Sequence, residues 1–369
     1  MDSQLSRDLW RGLLAYAATR PNWRVYFLHY LTPLESLDWE PSGVLATMDP
    51  PAVRAWFERR RLPCVNVFGL TGVPGPVVDV DNAAVGALAA RYFLDRGFRQ
   101  FGYVGSGEVR WSLEREASFR SAVEAAGGAC RVYRHRWGTQ GKGDVALDRE
   151  MRAWLAALPR PAAVLGAEDV TAWRVLEHVH ELGLRSPEDL AVLGVDDDEM
   201  WCASGHPPLS SIEIPARQMG WRAAELLEAE MRGSRSHACE RFAPAGVHTR
   251  QSSDVLAVDD PALASALAFL RANAARDLSI DELARTAAVA RRSLERRFRE
   301  RLGRTPLEEL TRVRMERAQE LLRGSDRPLA EIARLCGFAR PERLSVVFRR
   351  ELGQTPSSYR QRFQRSPER

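Results

Sequence analysis

A two-lobed α/β domain, followed by an all-helical domain of two helix-turn-helix units, is the fold this 369-residue sequence predicts. Three patterns carry that expectation. Up to residue 253, short apolar runs alternate with amphipathic stretches, the mark of βαβ units. Beyond residue 261 only the helical period remains. Within that helical region the same phrase occurs twice: RRSLERRFRERLGRTP at 291–306 returns as RPERLSVVFRRELGQTP at 340–356.

Composition sets the frame. A hydrophobic content of 45% with 28% charged residues is that of an ordinary globular protein. No apolar run has the length of a membrane span, and the opening MDSQLSRDLW lacks a signal-peptide core. The five cysteines are scattered and form no C-x-x-C pair, which fits a reducing cytoplasm. The net charge of +4 conceals an asymmetry: residues 261–369 carry 24 Arg and 14 acidic side chains, a net of +10, whereas residues 1–260 carry a net of −6. Lys142 is the only lysine, so a bias toward Arg runs through the whole chain. Bias does not account for a change of sign at one boundary. A basic tail on an acidic body implies a polyanionic partner for the tail.

Over the first 253 residues, strands are expected at Val25–His29, Val44–Met48, Cys64–Phe68, Val77–Val80, Phe101–Gly105, Val164–Ala167 and Ala191–Val195. Helices are expected at Leu5–Thr19, Pro51–Arg61, Asn82–Arg96, Glu114–Ala126, Val145–Leu158, Asp169–Leu182 and Ala216–Met231. Ligands of open α/β sheets sit beyond the carboxyl ends of the strands. The polar residues placed there are Asp49, Asp81, Asn82, Arg115, Glu168, Asp169 and Asp196. Carboxylates and an arginine converging on a cleft suit a polyhydroxylated ligand, because charged groups make strong, directional hydrogen bonds to hydroxyls. Asn82 and Asp169 read first as helix caps; Arg115 and Asp196 are the strongest ligand candidates, with Asp49 and Glu168 beside them.

Rival chemistries lack their residues. VGSGEVR (104–110) places Arg110 where a dinucleotide fingerprint needs its third glycine. The acidic run Asp196–Glu199 lacks the spaced ligands of a calcium loop, and no nucleophile, zinc or phosphate-loop motif occurs. No enzyme, cofactor or metal is expected.

The stretch 254–261 reads as a linker. Helices then follow at Ala262–Ala275, from Ile280 to Thr286 behind the Ser279-x-x-Glu282 capping signature, at Arg291–Arg301, and from Pro306 to about Leu322 behind Thr305-x-x-Glu308. The unit then recurs: Ile332-Ala333 repeats Leu283-Ala284 at an offset of 49, and Leu344, Phe348 and Gly353-x-Thr355-Pro356 repeat Leu294, Phe298 and Gly303-x-Thr305-Pro306 at 50. The helix-turn-helix units lie at about 279–301 and 328–350. Their second helices present Arg291, Arg292, Glu295, Arg296 and Arg299, and Arg340, Glu342, Arg343, Ser345, Arg349 and Arg350. Charges of mostly one sign repel without a partner. A DNA major groove supplies one, with arginines for phosphates and guanine edges and Glu295 for a cytosine amino group, and two such units suit successive grooves of one duplex.

These motifs also carry a resemblance. Residues 262–363 resemble the AraC-type DNA-binding domain, through the paired units and their G-x-T-P endings. Residues 2–253 resemble the LacI-type, periplasmic-binding-protein-like effector domain, through VDNAA (80–84), EREASF (114–119), LGVDDDE (193–199) and TRQSS (249–253). The fusion of the two resembles the family of bacterial xylose operon regulators, most closely in RWSLEREASFR (110–120) and ARQMGWRAAELL (216–227). That resemblance implies an effector domain over 1–253, a linker at 254–261 and a DNA-binding domain over 262–369. It further implies Arg115 and Asp196 on the sugar, D-xylose as effector, a homodimeric activator of sugar-catabolic genes on double-stranded DNA, contact with RNA polymerase, and residence on the nucleoid in a bacterial cytoplasm. A sugar-binding module that no longer regulates, and a DNA-binding regulator answering another sugar or none, are the alternatives.

Three departures from the family pattern stand out. The family has a β-strand before the helix matching Leu5–Thr19, whereas this chain starts in the loop that follows it. An incomplete first sheet and a misplaced start codon both account for that, and the cost of unpaired backbone in an inner strand favours the second. Ala288 stands in a turn where the family has Gly. Ala290 and Arg340 stand where the family often has a capping Ser.

Overall fold

The computed structural model describes residues 3–28, 39–47, 59–60, 62–69, 73–136, 145–234, 236–255 and 260–364. The first lobe is built on helix α1 (Gln4–Ala17), whose N-cap Ser3 accepts a hydrogen bond from the Ser6 N–H. It buries Leu9, Leu13 and Tyr16 toward α7 (Ala216–Met231). The two backbones meet through glycines: a Cβ at Gly12 would lie 1.9 Å from the Arg217 carbonyl oxygen, and one at Gly220 1.9 Å from that of Leu9. Beside this pair lies a parallel sheet of β1 (Val44–Ala46), β2 (Cys64–Val67), β3 (Val77–Val80) and β9 (Cys239–Phe242), in that order.

The expected strand at Val25–His29 does not form. Residues 25–28 are irregular and His29 lies outside the described residues. Among the described residues β1 pairs with β2 alone, so this segment does not add to the open edge of the sheet. Trp23 and Val25 instead pack against the α1–α7 pair, while Tyr26, Phe27 and Leu28 are exposed. Most of the expected helix Pro51–Arg61 lies outside the described residues, although 59 and 60 are helical; Met48, the end of another expected strand, lies outside them too.

The chain crosses to the second lobe through α2 (Asn82–Leu94). Six strands follow, β4 (Gln100–Ser106), β5 (Ala129–His135), β6 (Ala162–Gly166), β7 (Leu190–Val195), β8 (Ser210–Glu213) and β10 (Gly246–His248), in the spatial order β10-β8-β7-β6-β4-β5. All pairings are parallel except that of β10 with β8. Helices α3 (Arg110–Ala125), α4 (Val145–Ala156), α5 (Asp169–Glu181) and α6 (Glu199–Ser204) connect them. One core joins β2, β3, α2, α3 and α7 to a face of the six-stranded sheet, through Val65, Val78, Phe93, Phe101, Tyr103 and Phe119. A second, with Leu155, Val164, Leu176 and Leu190, covers the opposite face.

The helical domain holds α8 (Pro261–Asn273), α9 (Ile280–Thr286), α10 (Arg291–Leu302), α11 (Pro306–Gly324), α12 (Leu329–Leu335), α13 (Pro341–Leu352) and α14 (Pro356–Gln364). Each unit has its own core, one around Leu283, Leu294 and Phe298, the other around Ile332, Leu344 and Phe348. Thr305 and Glu308 form a complete capping box at α11. Ser279 caps α9, but Glu282 turns instead to Arg276, so that box is half-made. The two domains touch. Arg304, in the turn before α11, donates to the carboxylate (2.8 Å) and the carbonyl (2.6 Å) of Asp95, the residue that ends α2. The Tyr359 hydroxyl faces the Ala245 carbonyl at 3.4 Å. Among the described residues no helix is long and apolar enough to cross a membrane.

Candidate functional site

The carboxyl ends of β6 and β7 and the amino end of α2 bring three of the expected ligand residues together. Arg115, on α3, is buried and splayed between partners: its Nε donates to the Asn82 side chain at 2.9 Å, one Nη to the Ala167 carbonyl beside Glu168, and the other lies 3.9 Å from the Asp196 carboxylate. Its guanidinium stacks over Trp111 at 4.9 Å. Such a side chain has little freedom left to lose when it meets a ligand. Glu168 stands at the N-cap position of α5 without capping it. Asp49 lies outside the described residues.

Asp196 is incompletely satisfied. Its Oδ1 is buried and accepts no hydrogen bond among the described residues. Burial pushes its carboxyl up to about 6, against the pull of the Arg115 charge. Its backbone is strained as well, with φ 108° at Asp196 and 54° at Asp197, a conformation that persists only when its surroundings hold it. They do. The Asp196 N–H donates to the Ile212 carbonyl, the Asp197 N–H to the Ser211 hydroxyl, and the Asp198 N–H to the Asp169 carboxylate at 2.7 Å. Beside this turn opens a polar cavity of about 370 Å³, lined by Asp196, Asp197, Glu199, Glu213, Ile214 and Arg250 with Gln4 and Asp8 of α1.

Two expectations need correcting. Asn82 is no cap: Asp81 caps α2 by accepting from the Ala84 N–H, and Asn82 orients Arg115. Asp169 is no cap either. It is fully enclosed, accepts from the Ser211 hydroxyl, and braces the 196–198 turn from beneath. Both stand out as polar residues after strands, but a helix start after a strand looks the same whether the side chain caps or reaches across. Sequence reasoning misses Trp111 and His248. The latter is held between Asp197 and Glu213, and their carboxylates raise it to about 9. Only tertiary contact marks either of them.

In the helical domain, α10 and α13 occupy equivalent places. Leu294 and Phe298 on one, and Leu344 and Phe348 on the other, are wholly buried. Arg292, Arg296 and Arg299, and Arg340, Glu342, Arg343, Arg349 and Arg350, are exposed. The charges are less isolated than expected. Arg291 pairs with Glu295 at 2.9 Å and with Asp281 at 3.4 Å, Arg296 approaches Glu300 at 4.0 Å, and Arg350 pairs with Glu351. Glu295 is therefore engaged by an arginine of its own helix. The Ser345 hydroxyl bonds back to the Pro341 carbonyl.

Residues 90–253 match the periplasmic binding protein-like domain, and residues 283–362 match the helix-turn-helix domain. Over 96% of its length the chain is 25% identical to the xylose operon regulatory protein of Haemophilus influenzae, covering 94% of that protein. It is 28% identical to the protein of the same name from Escherichia coli K12, over 88% of this chain and 84% of that one. The structure of the xylose-binding transcription activator xylR superposes on it with a TM-score of 0.63 at 26% identity, over 98% of this chain and 95% of that one. Along most of its length, then, the chain is similar to xylose operon regulatory proteins. Its departures from the family's pattern have structural counterparts here. Ala288 takes φ 53°, the left-handed conformation that Gly337 adopts at φ 79° in the second unit. Neither Ala290 nor Arg340 makes a side-chain capping bond.

Proposed function

We propose that this protein is a sugar-responsive transcription regulator, an activator of sugar-catabolic genes that reads double-stranded DNA with α10 and α13. Its effector domain takes residues 1–253, a linker 254–261 and the reader 262–369. D-xylose is the effector. Arg115 and Asp196 hold its hydroxyls, with Glu168 and Asp49 alongside. Arg292, Arg296, Arg299, Arg340, Glu342, Arg343 and Arg349 face DNA, joined by Arg291, Glu295 and Ser345 once their own contacts are exchanged. The regulator works as a homodimer in the cytoplasm and meets RNA polymerase at its promoters.

The observation that carries this reading is the Arg115–Asp196 pair. A buried carboxylate oxygen without a hydrogen-bond donor, 3.9 Å from a fixed guanidinium and on a residue that lines a polar cavity, is an acceptor site waiting for a donor. Sugar hydroxyls provide donors and acceptors together.

A thermal-shift titration against D-xylose, L-arabinose, D-ribose and D-glucose tests it. A ligand bound only by the folded state adds about 2.7 kcal/mol of stability at a hundredfold excess over its dissociation constant. The expected result is a selective rise with D-xylose that Arg115→Ala and Asp196→Ala both abolish, while neither changes non-specific affinity for DNA. A rise that survives both substitutions places the pocket elsewhere, and a rise with a different sugar reassigns the effector.

A further inference from the structure

The two units share a framework and differ in what they display. With an offset of 50, Arg296 on α10 corresponds to Val346 on α13. Both point outward: the Arg296 side chain is 69% exposed and Val346 is 60% exposed. Val346 has no share in the core, since its neighbour Val347 supplies that face and is buried. On a helix surface the neighbours of position 346 are three and four residues away. They are Glu342, Arg343, Arg349 and Arg350, all exposed. Val346 is thus an apolar island rimmed by charge, at the centre of the outward face.

A β-branched residue has a lower helix propensity than Arg and gains nothing there from burial. A lone exposed apolar side chain elsewhere on a surface is ordinary. At the middle of a face that docks on DNA it has a specific counterpart. The major groove offers one apolar feature, the C5-methyl group of thymine, whereas an arginine in the equivalent place matches the two acceptors of guanine. We propose that Val346 is a specificity-determining residue, so that the second unit selects thymine by its methyl group at the position where the first unit, through Arg296, selects guanine. The inference rests on the reading of the chain as a sequence-specific DNA-binding protein.

The test uses the full chain. Bound duplexes are selected from a random pool, and in the best of them each thymine is replaced in turn by uracil, which removes only the methyl group. One thymine is expected whose replacement weakens wild-type binding roughly three- to tenfold, the worth of one buried methyl group. The same replacement should leave Val346→Ala unaffected, and selection with Val346→Arg should return guanine at that position. Thermal melting checks that both variants fold, and the uracil scan on wild type needs no variant at all. Tolerance of every uracil within twofold overturns the proposal. Uracil sensitivity that persists in Val346→Ala overturns it too. Failure of the wild type to enrich any sequence is a different result: it removes the DNA-binding reading, and the proposal with it.

Discussion

Asp196 carries a cost in the free protein that a ligand would relieve. An acid whose pKa is raised on folding destabilises the fold wherever it is ionised. Here the cost sets in as pH rises through the ordinary value of 3.8 and is complete above about 6. Asp196→Asn removes the ionisation. Denaturant titrations should find the variant more stable than wild type above pH 6, by roughly 1–3 kcal/mol, with the gap closing as pH falls toward 3.8. The same variant should lose its sugar-induced stabilisation, a gain and a loss of opposite sign at one atom. Equal stability across that range would mean that Asp196 is not the strained acid the geometry describes.

Among the elements, the turns of the two reading units differ most plainly. Gly337 accepts its left-handed backbone freely, and a Cβ there would also meet the Ala274 carbonyl at 2.4 Å. Ala288 adopts the same backbone with a Cβ in place, at a cost of about 1 kcal/mol. Ala288→Gly is therefore expected to stabilise the reader by up to about that amount in urea melts, and a loss of stability would contradict the strain. The sequence exposes this weakness because the repeat supplies its own reference, one unit judged against the other. The helices are legible for a similar reason: Ala216–Met231 and Ile280–Thr286 fall where their periodicity places them. The short strands β8, β9 and β10 are not. They are as short as β1, β2 and β3, but SSIE, CERF and GVH lack the apolar run that marks VLA, CVNV and VVDV. β5 also escapes notice, since ACRVYRH is half polar and its partner β4 lies across a helix. Val25–Leu28 errs the other way: its residues have strand propensity, but Val25 packs on the α1–α7 pair and the three that follow are exposed.

At the scale of the whole molecule, the two domains are joined by a few strong contacts. Arg304 grips Asp95 and also donates to Glu309 at 2.6 Å, which Arg312 holds from its other side. Burial would raise the Glu309 carboxyl, but the hydrogen bonds of Arg312 and the charges of Arg304 and Arg271 bring it down to about 2. Arg304→Ala removes the tether to Asp95 and leaves Glu309 its bonds to Arg312. The expected cost is roughly 1–3 kcal/mol, seen in calorimetry as the separation of one transition into two. An unchanged single transition would mean that other contacts couple the domains. None of this is legible in the sequence, because Arg304 and Asp95 are 209 residues apart and each looks like an ordinary surface charge. The candidate site is half legible: Arg115 and Asp196 stand out as candidates, whereas the hold of Asn82 on the one and of Asp169 on the turn beside the other does not.

Helix α2 is committed at both ends. Asn82 at its start orients Arg115, and Asp95 at its finish is held by the turn between α10 and α11. The sequence reads as two interchangeable cassettes, but this helix belongs to both. A reader borrowed from another protein and spliced in after the linker would reach this helix without the grip of Arg304 on Asp95. Restoring that hold would take an arginine where Arg304 stands.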